Sequence, residues 1–132
     1  MSISPDVKKL FEDKNLAFVS TLMKDGSPQI TPTWIDIDGE VIIINTAEGR
    51  TKQKNLLRDP RIAISIVERN NQYNMVTIRG KVMEQTTIGA DLHIDKMAKK
   101  YLGVEKYPFA RHGEKRILLK IKSEKVFHMA PT

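Results

Sequence analysis

Four cations crowd one short segment of the chain, Arg50, Lys52, Lys54 and Arg58, and the residues around them predict a helix. The segment runs from Ala47 through Gly49 and Asn55-Leu56-Leu57 to Asp59-Pro60, where proline stops it. A helix start presents unpaired N–H groups and a partial positive charge, so side-chain cations placed there are unfavourable unless an anion compensates them. Phosphate is the anion such a place binds best. A solvated helix face carries lysines and arginines at the same spacing, and this segment alone leaves both readings open.

Other residue types that do chemistry are poorly placed. Asp91, His93 and Asp95 fall on a later helix, but His93 and Asp95 are two residues apart and no second histidine stands a helical turn away. A helix-surface role is expected for them. Ser20 and Ser65 lack a nucleophile-elbow pattern, and His112 has no evident orienting partner, so hydrolase chemistry is set aside. Cysteine is absent, which removes disulfides, thiolate nucleophiles and cysteine-held metals.

The elements that must carry the cationic segment are legible from periodicity. Ser4-Pro5 opens a short amphipathic helix with Val7, Leu10 and Phe11 on one face. Strands are expected over 17–22 and 29–36, joined at Asp25-Gly26, and over 41–46, whose β-branched run predicts burial on both faces. These three would form a meander. Further strands are expected over 61–67, 75–84, 116–122 and 125–129, with Gly80 at a bend or bulge. A helix over 86–102, supported by Ile88, Leu92, Met97, Ala98 and Tyr101, ends at Gly103. Strands joined mainly by hairpins, without a βαβ rhythm, predict a closed antiparallel barrel decorated by helices, as one domain over 1–132.

Composition narrows the partners. Lys and Arg outnumber Asp and Glu by 22 to 16, a formal charge of +6 that favours anionic ligands. Aromatic content is 6%, and no stripe of stacking aromatics alternates with the cations, so a nucleic-acid partner is not expected. No apolar run is long enough for a membrane span, and the first residues lack the apolar centre of a secretory signal. A cytoplasmic location is expected.

Residues 25–34 (Asp25-Gly26-Ser27-Pro28 to Thr33-Trp34), residues 45–61 (Asn45-Thr46 to Pro60-Arg61), Ile78-Arg79-Gly80-Lys81-Val82 and residues 90–103 together resemble the pyridoxamine 5'-phosphate oxidase-like family. The similarity spans nearly the whole chain and is nearest to the branch that uses the deazaflavin coenzyme F(420), whose relatives otherwise hold FMN. The resemblance implies a mainly β fold with helices, a six-stranded antiparallel split barrel that works as a homodimer. It also implies a flavin- or deazaflavin-dependent oxidoreductase passing hydride to a small organic acceptor. An FMN-binding oxidoreductase or flavin carrier, or a non-catalytic cofactor-binding protein, remains an alternative on the same fold. The cofactor phosphate would rest on Arg50, Thr51, Lys52 and Lys54 above Thr46, and the ring edge would lie along Thr31, Pro32, Thr33 and Trp34. Tyr73, Met75, His128 and Phe127 of a second subunit would close the site. Trp34 has an equally good reading as a core or interface aromatic. No catalytic side chain and no metal is implied, because hydride chemistry belongs to the cofactor. The sequence ends at Phe127-His128-Met129-Ala130-Pro131-Thr132 without the arginine-containing tail of the vitamin-forming oxidases, so oxidation of pyridoxamine phosphate itself is not expected.

Overall fold

Ser4 starts the first helix as its sequence predicts. In the computed structural model, which describes residues 2–131, Ser4 Oγ accepts the Val7 N–H at 3.3 Å and Pro5 opens α1 (Pro5–Glu12). The hydroxyl satisfies a donor that a helix start leaves unpaired, and Val7, Leu10 and Phe11 fall on one buried face. Strands β1 (Ala17–Leu22) and β2 (Pro28–Thr33) pair around the Asp25-Gly26 turn, where Asp25 Oδ1 accepts from Ser27 N and Gly26 takes a φ of 87°. The chain continues through β3 (Asp36–Asp38), β4 (Val41–Ala47), α2 (Thr51–Arg58), β5 (Arg61–Glu68), β6 (Asn71–Thr86), α3 (Ala90–Leu102) and β7 (Arg116–Met129).

All seven strands join one antiparallel sheet in the order β2-β1-β5-β6-β7-β4-β3. Laid flat, its edge strands would stand roughly 29 Å apart. Yet β2 and β3 are consecutive in the chain and only Trp34 and Ile35 separate them, a reach of about 11 Å at most. The sheet therefore curls until its edges face each other, as a barrel left open along one seam. Helix α3 fills the seam from its last turn. Lys100 Nζ donates to the carbonyls of Phe11 and Ile35, while Tyr101 Oη accepts from Ile35 N at 3.1 Å and donates to Asn15 O at 2.7 Å.

Two expectations about the strands are corrected here. The strand expected over 29–36 breaks at Trp34-Ile35, so β2 and β3 lie on opposite edges and the three-stranded meander does not form. The segments 116–122 and 125–129 merge into β7, which offsets the split of 29–36, so the sheet has seven strands where the resemblance implied six. The merger is possible because β7 bulges instead of ending: the β6–β7 register shifts between Arg79 and Gly80. A Cβ on Gly80 would lie 2.2 Å from Lys122 O, so the strands approach too closely there for any other residue.

Burial on both faces of β4 is observed. Ile42 and Ile44 enter the barrel core with Phe11, Ile64, Ile78 and Leu119, whereas Ile43 packs outside with Leu118 beneath Ala90 of α3. That helix is shorter than the expected 86–102. Ile88 and Leu92 are 83% and 78% exposed, and Ala90, Ile94, Met97 and Ala98 form its buried face instead. No helix among the described residues is long and apolar enough to cross a membrane.

Candidate functional site

Edge strand β2 has a partner on one side only, and on its other side a cleft of about 440 Å³ opens toward the start of α2. Seven of the residues singled out in the sequence line it: Thr31, Pro32 and Thr33 from β2, Thr46 from the end of β4, and Arg50, Thr51 and Lys52 from the helix start. Strand β4 runs in the core to Thr46, Gly49 turns the chain at a φ of 91°, and Gln53 Oε1 accepts the Gly49 N–H at 2.9 Å to fix that turn. Arg50 occupies the N-cap position without a side-chain cap bond, and no acid stands in the first turn of α2. The positive end of this helix is thus left for an outside anion.

A second cleft of about 220 Å³ shares Pro32, Thr33 and Arg50 with the first and continues it. Its walls are aromatic. Trp34 stacks on Tyr101 with centroids 5.2 Å apart and planes 4° from parallel, and Tyr107 meets Trp34 edge-on at 5.9 Å. The two clefts form one trough, cationic at one end and lined with Trp34, Tyr107 and Phe109 at the other.

Charge at the cationic end is unbalanced. Arg50 Nη2 and Arg116 Nη1 both donate to Glu114 Oε1, at 2.9 and 2.8 Å, so one carboxylate serves two guanidiniums. Burial opposes the Glu114 charge, yet the Arg111 N–H, Arg116 and Arg50 hold its carboxyl below the usual range. Lys52 has no carboxylate partner among the described residues, and burial, then the charges of Arg50 and Arg116, push its ammonium down to about 8. Thr31 Oγ1 lies buried in the cleft without a hydrogen-bond partner. Across the two joined clefts three cations, the depressed Lys52 among them, stand against one acid beside an orphaned hydroxyl, an arrangement that a bound phosphate would satisfy. The residues present fit a phosphate-bearing ligand with a flat ring.

Not every singled-out residue converges. Lys54 is exposed on α2 and lines neither cleft, since two positions along a helix turn a side chain well away from Lys52. Tyr73, Met75, Phe127 and His128 lie where β6 pairs the end of β7, away from the trough within one chain, and His128 Nε2 is 2.8 Å from Asn74 Oδ1. His93 is corrected: its side chain is 11% exposed, held between Asp36 and Asn45 beneath α3 rather than on the helix surface. Arg116, Asn45, Glu114, Tyr107 and Phe109 were not anticipated. Arg116 opens β7 ahead of an apolar run, and Tyr107-Pro108-Phe109 reads as a plain loop, so neither carries a local signal.

Comparison with known proteins agrees with this fold. The model of the family described as Pyridoxamine 5'-phosphate oxidase matches residues 3–130. Among solved structures, a protein titled "F420 Reductase" superposes with a TM-score of 0.84 at 23% identity, over 95% of this chain and 98% of that one. The conserved hypothetical protein Rv2991 of Mycobacterium tuberculosis gives 0.74 at 17% identity, over 98% and 86%. A putative pyridoxamine 5'-phosphate oxidase of Listeria innocua gives 0.67 at 16% identity, over 93% and 94%. These likenesses share the curled antiparallel sheet with this chain.

Proposed function

The chain belongs to the pyridoxamine 5'-phosphate oxidase family, and from that premise we propose that it is an oxidoreductase that binds the deazaflavin coenzyme F(420) and directs hydride to a small organic acceptor. The observation that carries this reading is the excess of cation along the trough, where Arg50 and Arg116 share a single acid, Lys52 has none among the described residues and Thr31 Oγ1 has no partner. When bound, a deazaflavin supplies two-electron hydride chemistry without side-chain nucleophiles. Arg50, Lys52 and the N–H groups at the start of α2 would hold the phosphate. Thr31 Oγ1 and the free edge of β2 would orient a polar atom of the ligand, and Trp34, Tyr107 and Phe109 would exclude water from the ring.

The protein works as a homodimer in this reading. The barrel's outer face carries a row set by register: Pro32, Phe18, Ser65, Thr77 and Phe127 lie side by side across five strands. Next to it run Val67, Met75 and Met129. Phe18 is 42% and Phe127 67% exposed, a patch with no cover from the chain itself. Pro32 begins that row and also lines both clefts, so a second copy laid on it reaches the trough. A two-fold arrangement would bring the partner's Tyr73, Met75 and His128 over it.

Parallel fluorescence titration of the apo-protein with FMN and with the deazaflavin coenzyme tests the reading. Tighter binding of the deazaflavin is expected. Tighter binding of FMN would replace it with flavin chemistry on the same site, and binding of neither at micromolar concentration would remove the cofactor reading.

A further inference from the structure

A continuous line of hydrogen bonds runs beneath α3 to the cationic trough. Asp36, the first residue of β3, accepts the Ile37 N–H on Oδ1 and has His93 Nε2 at 2.9 Å and Lys96 Nζ at 3.5 Å on Oδ2. His93 Nδ1 lies 3.1 Å from Asn45 Nδ2, which also donates to Ala90 O at 2.8 Å. Asn45 Oδ1 accepts from Arg116 Nε at 2.9 Å, and Arg116 passes on through Glu114 to Arg50. The Arg116 side chain is 6% exposed and its guanidinium lies 5.1 Å from the Tyr107 ring centroid, so its place is set from every side.

Donor and acceptor counting fixes the state of each group. Arg116 Nε only donates, so the atom of Asn45 that faces it is the oxygen. Ala90 O only accepts, which agrees that Nδ2 points the other way. The remaining Asn45 N–H is aimed at His93 Nδ1, and that nitrogen must therefore present a lone pair. The imidazole proton is left on Nε2, where it donates to Asp36, whose carboxyl is held below its usual range, against the cost of burial, by His93, the Ile37 N–H and Lys96.

We propose that Asp36, His93 and Asn45 are positioning residues for the anion-binding trough: Asp36 selects the neutral Nε2–H tautomer of His93, that tautomer orients the Asn45 amide, and the amide holds Arg116, and through Glu114 Arg50, against the ligand. None of the three lies among the residues the family resemblance assigns to the cofactor. The proposal rests on the reading of the trough as a phosphate-bearing cofactor site, but its first test does not. Without an acceptor at His93 Nδ1, Asn45 leaves a buried N–H unpaired, and turning the amide to pair it faces two donors, Asn45 Nδ2 and Arg116 Nε, toward each other.

Long-range proton–nitrogen spectra of the ligand-free protein are expected to show His93 protonated at Nε2 alone and a slowly exchanging Arg116 Nε–H. A proton on His93 Nδ1 overturns the proposal whether or not any cofactor binds. His93→Asn keeps an acceptor where Nδ1 stood, whereas His93→Gln and His93→Leu do not. Titration with FMN, and with inorganic phosphate as a second probe, is expected to give affinity within about twofold of the parent for His93→Asn and roughly tenfold weaker for His93→Leu. The Arg116 Nε–H signal should survive only in His93→Asn. His93→Gln repeats the comparison should the leucine variant fail to fold. Equal affinity and an unchanged Arg116 signal in all folded variants would overturn the relay. A parent that binds neither the deazaflavin coenzyme, FMN nor phosphate but gives the expected spectra would reject the cofactor reading and leave the relay standing.

Discussion

Lys52 shows how one residue would report a bound anion. In water its ammonium would lose a proton near 10.5, but burial and then the charges of Arg50 and Arg116 bring that down to about 8. A bound phosphate restores the charged form, so binding takes up a proton between about 8 and 10.5, a range in which a phosphate monoester is already a dianion. FMN affinity should therefore fall by up to about tenfold per pH unit above 8 in the parent and stay flat in Lys52→Met, measured by fluorescence titration. A parallel slope in the two proteins would separate Lys52 from the phosphate. The same shift has a stability sign. Between about 8 and 10.5 the unfolded chain holds more protons at Lys52 than the native one, so this residue's contribution rises with pH through that window and is lost below 8.

Among the elements, β6 and β7 carry the bend that lets a sheet of this width curl. Gly80 sits at the register shift, and the space where its side chain would be is filled by the Lys122 carbonyl. Gly80→Ala must push backbone rather than a flexible side-chain end. It should cost about 1–3 kcal/mol, read as a lower urea midpoint at unchanged slope. An unaltered midpoint would mean the strands separate easily there. Helix α3 does a different task, since its last turn closes the seam with Lys100 and Tyr101. Burial, above all, pushes the Lys100 ammonium down to about 8 and raises the Tyr101 hydroxyl to about 12, which keeps the latter a donor to Asn15 O.

For the whole molecule the surface that decides the partner is the row on the barrel's outer face that carries the exposed Phe18 and Phe127. Phe127→Glu places a charge on that row without touching the core, because Phe127 faces solvent in the single chain. Under the dimer reading, sedimentation at micromolar concentration should show a dimer for the parent and a monomer for Phe127→Glu, with cofactor affinity reduced and circular dichroism unchanged. A parent that sediments as a monomer would remove the composite site and return Tyr73, Met75 and His128 to the surface.

Local chemistry was enough to read several parts of this protein from its sequence. The Ser4-Pro5 helix start, the Asp25-Gly26 turn, the doubly buried β4 run and the special place of Gly80 each depend on residues close in the chain or on a backbone only glycine allows. The cationic helix start was legible for the same reason, because Thr46, Arg50, Thr51 and Lys52 are near neighbours. Strand order was not. Whether 29–36 is one strand or two edge strands depends on where β3 finds its partner in β4 and on α3 filling the gap, which are contacts between distant segments. Arg116 and His93 were missed on the same ground. Each is an ordinary residue of a strand or helix until folding sets Asn45 between them, so their role arises from side chains brought together across the sheet, a relation that spacing along the chain does not encode.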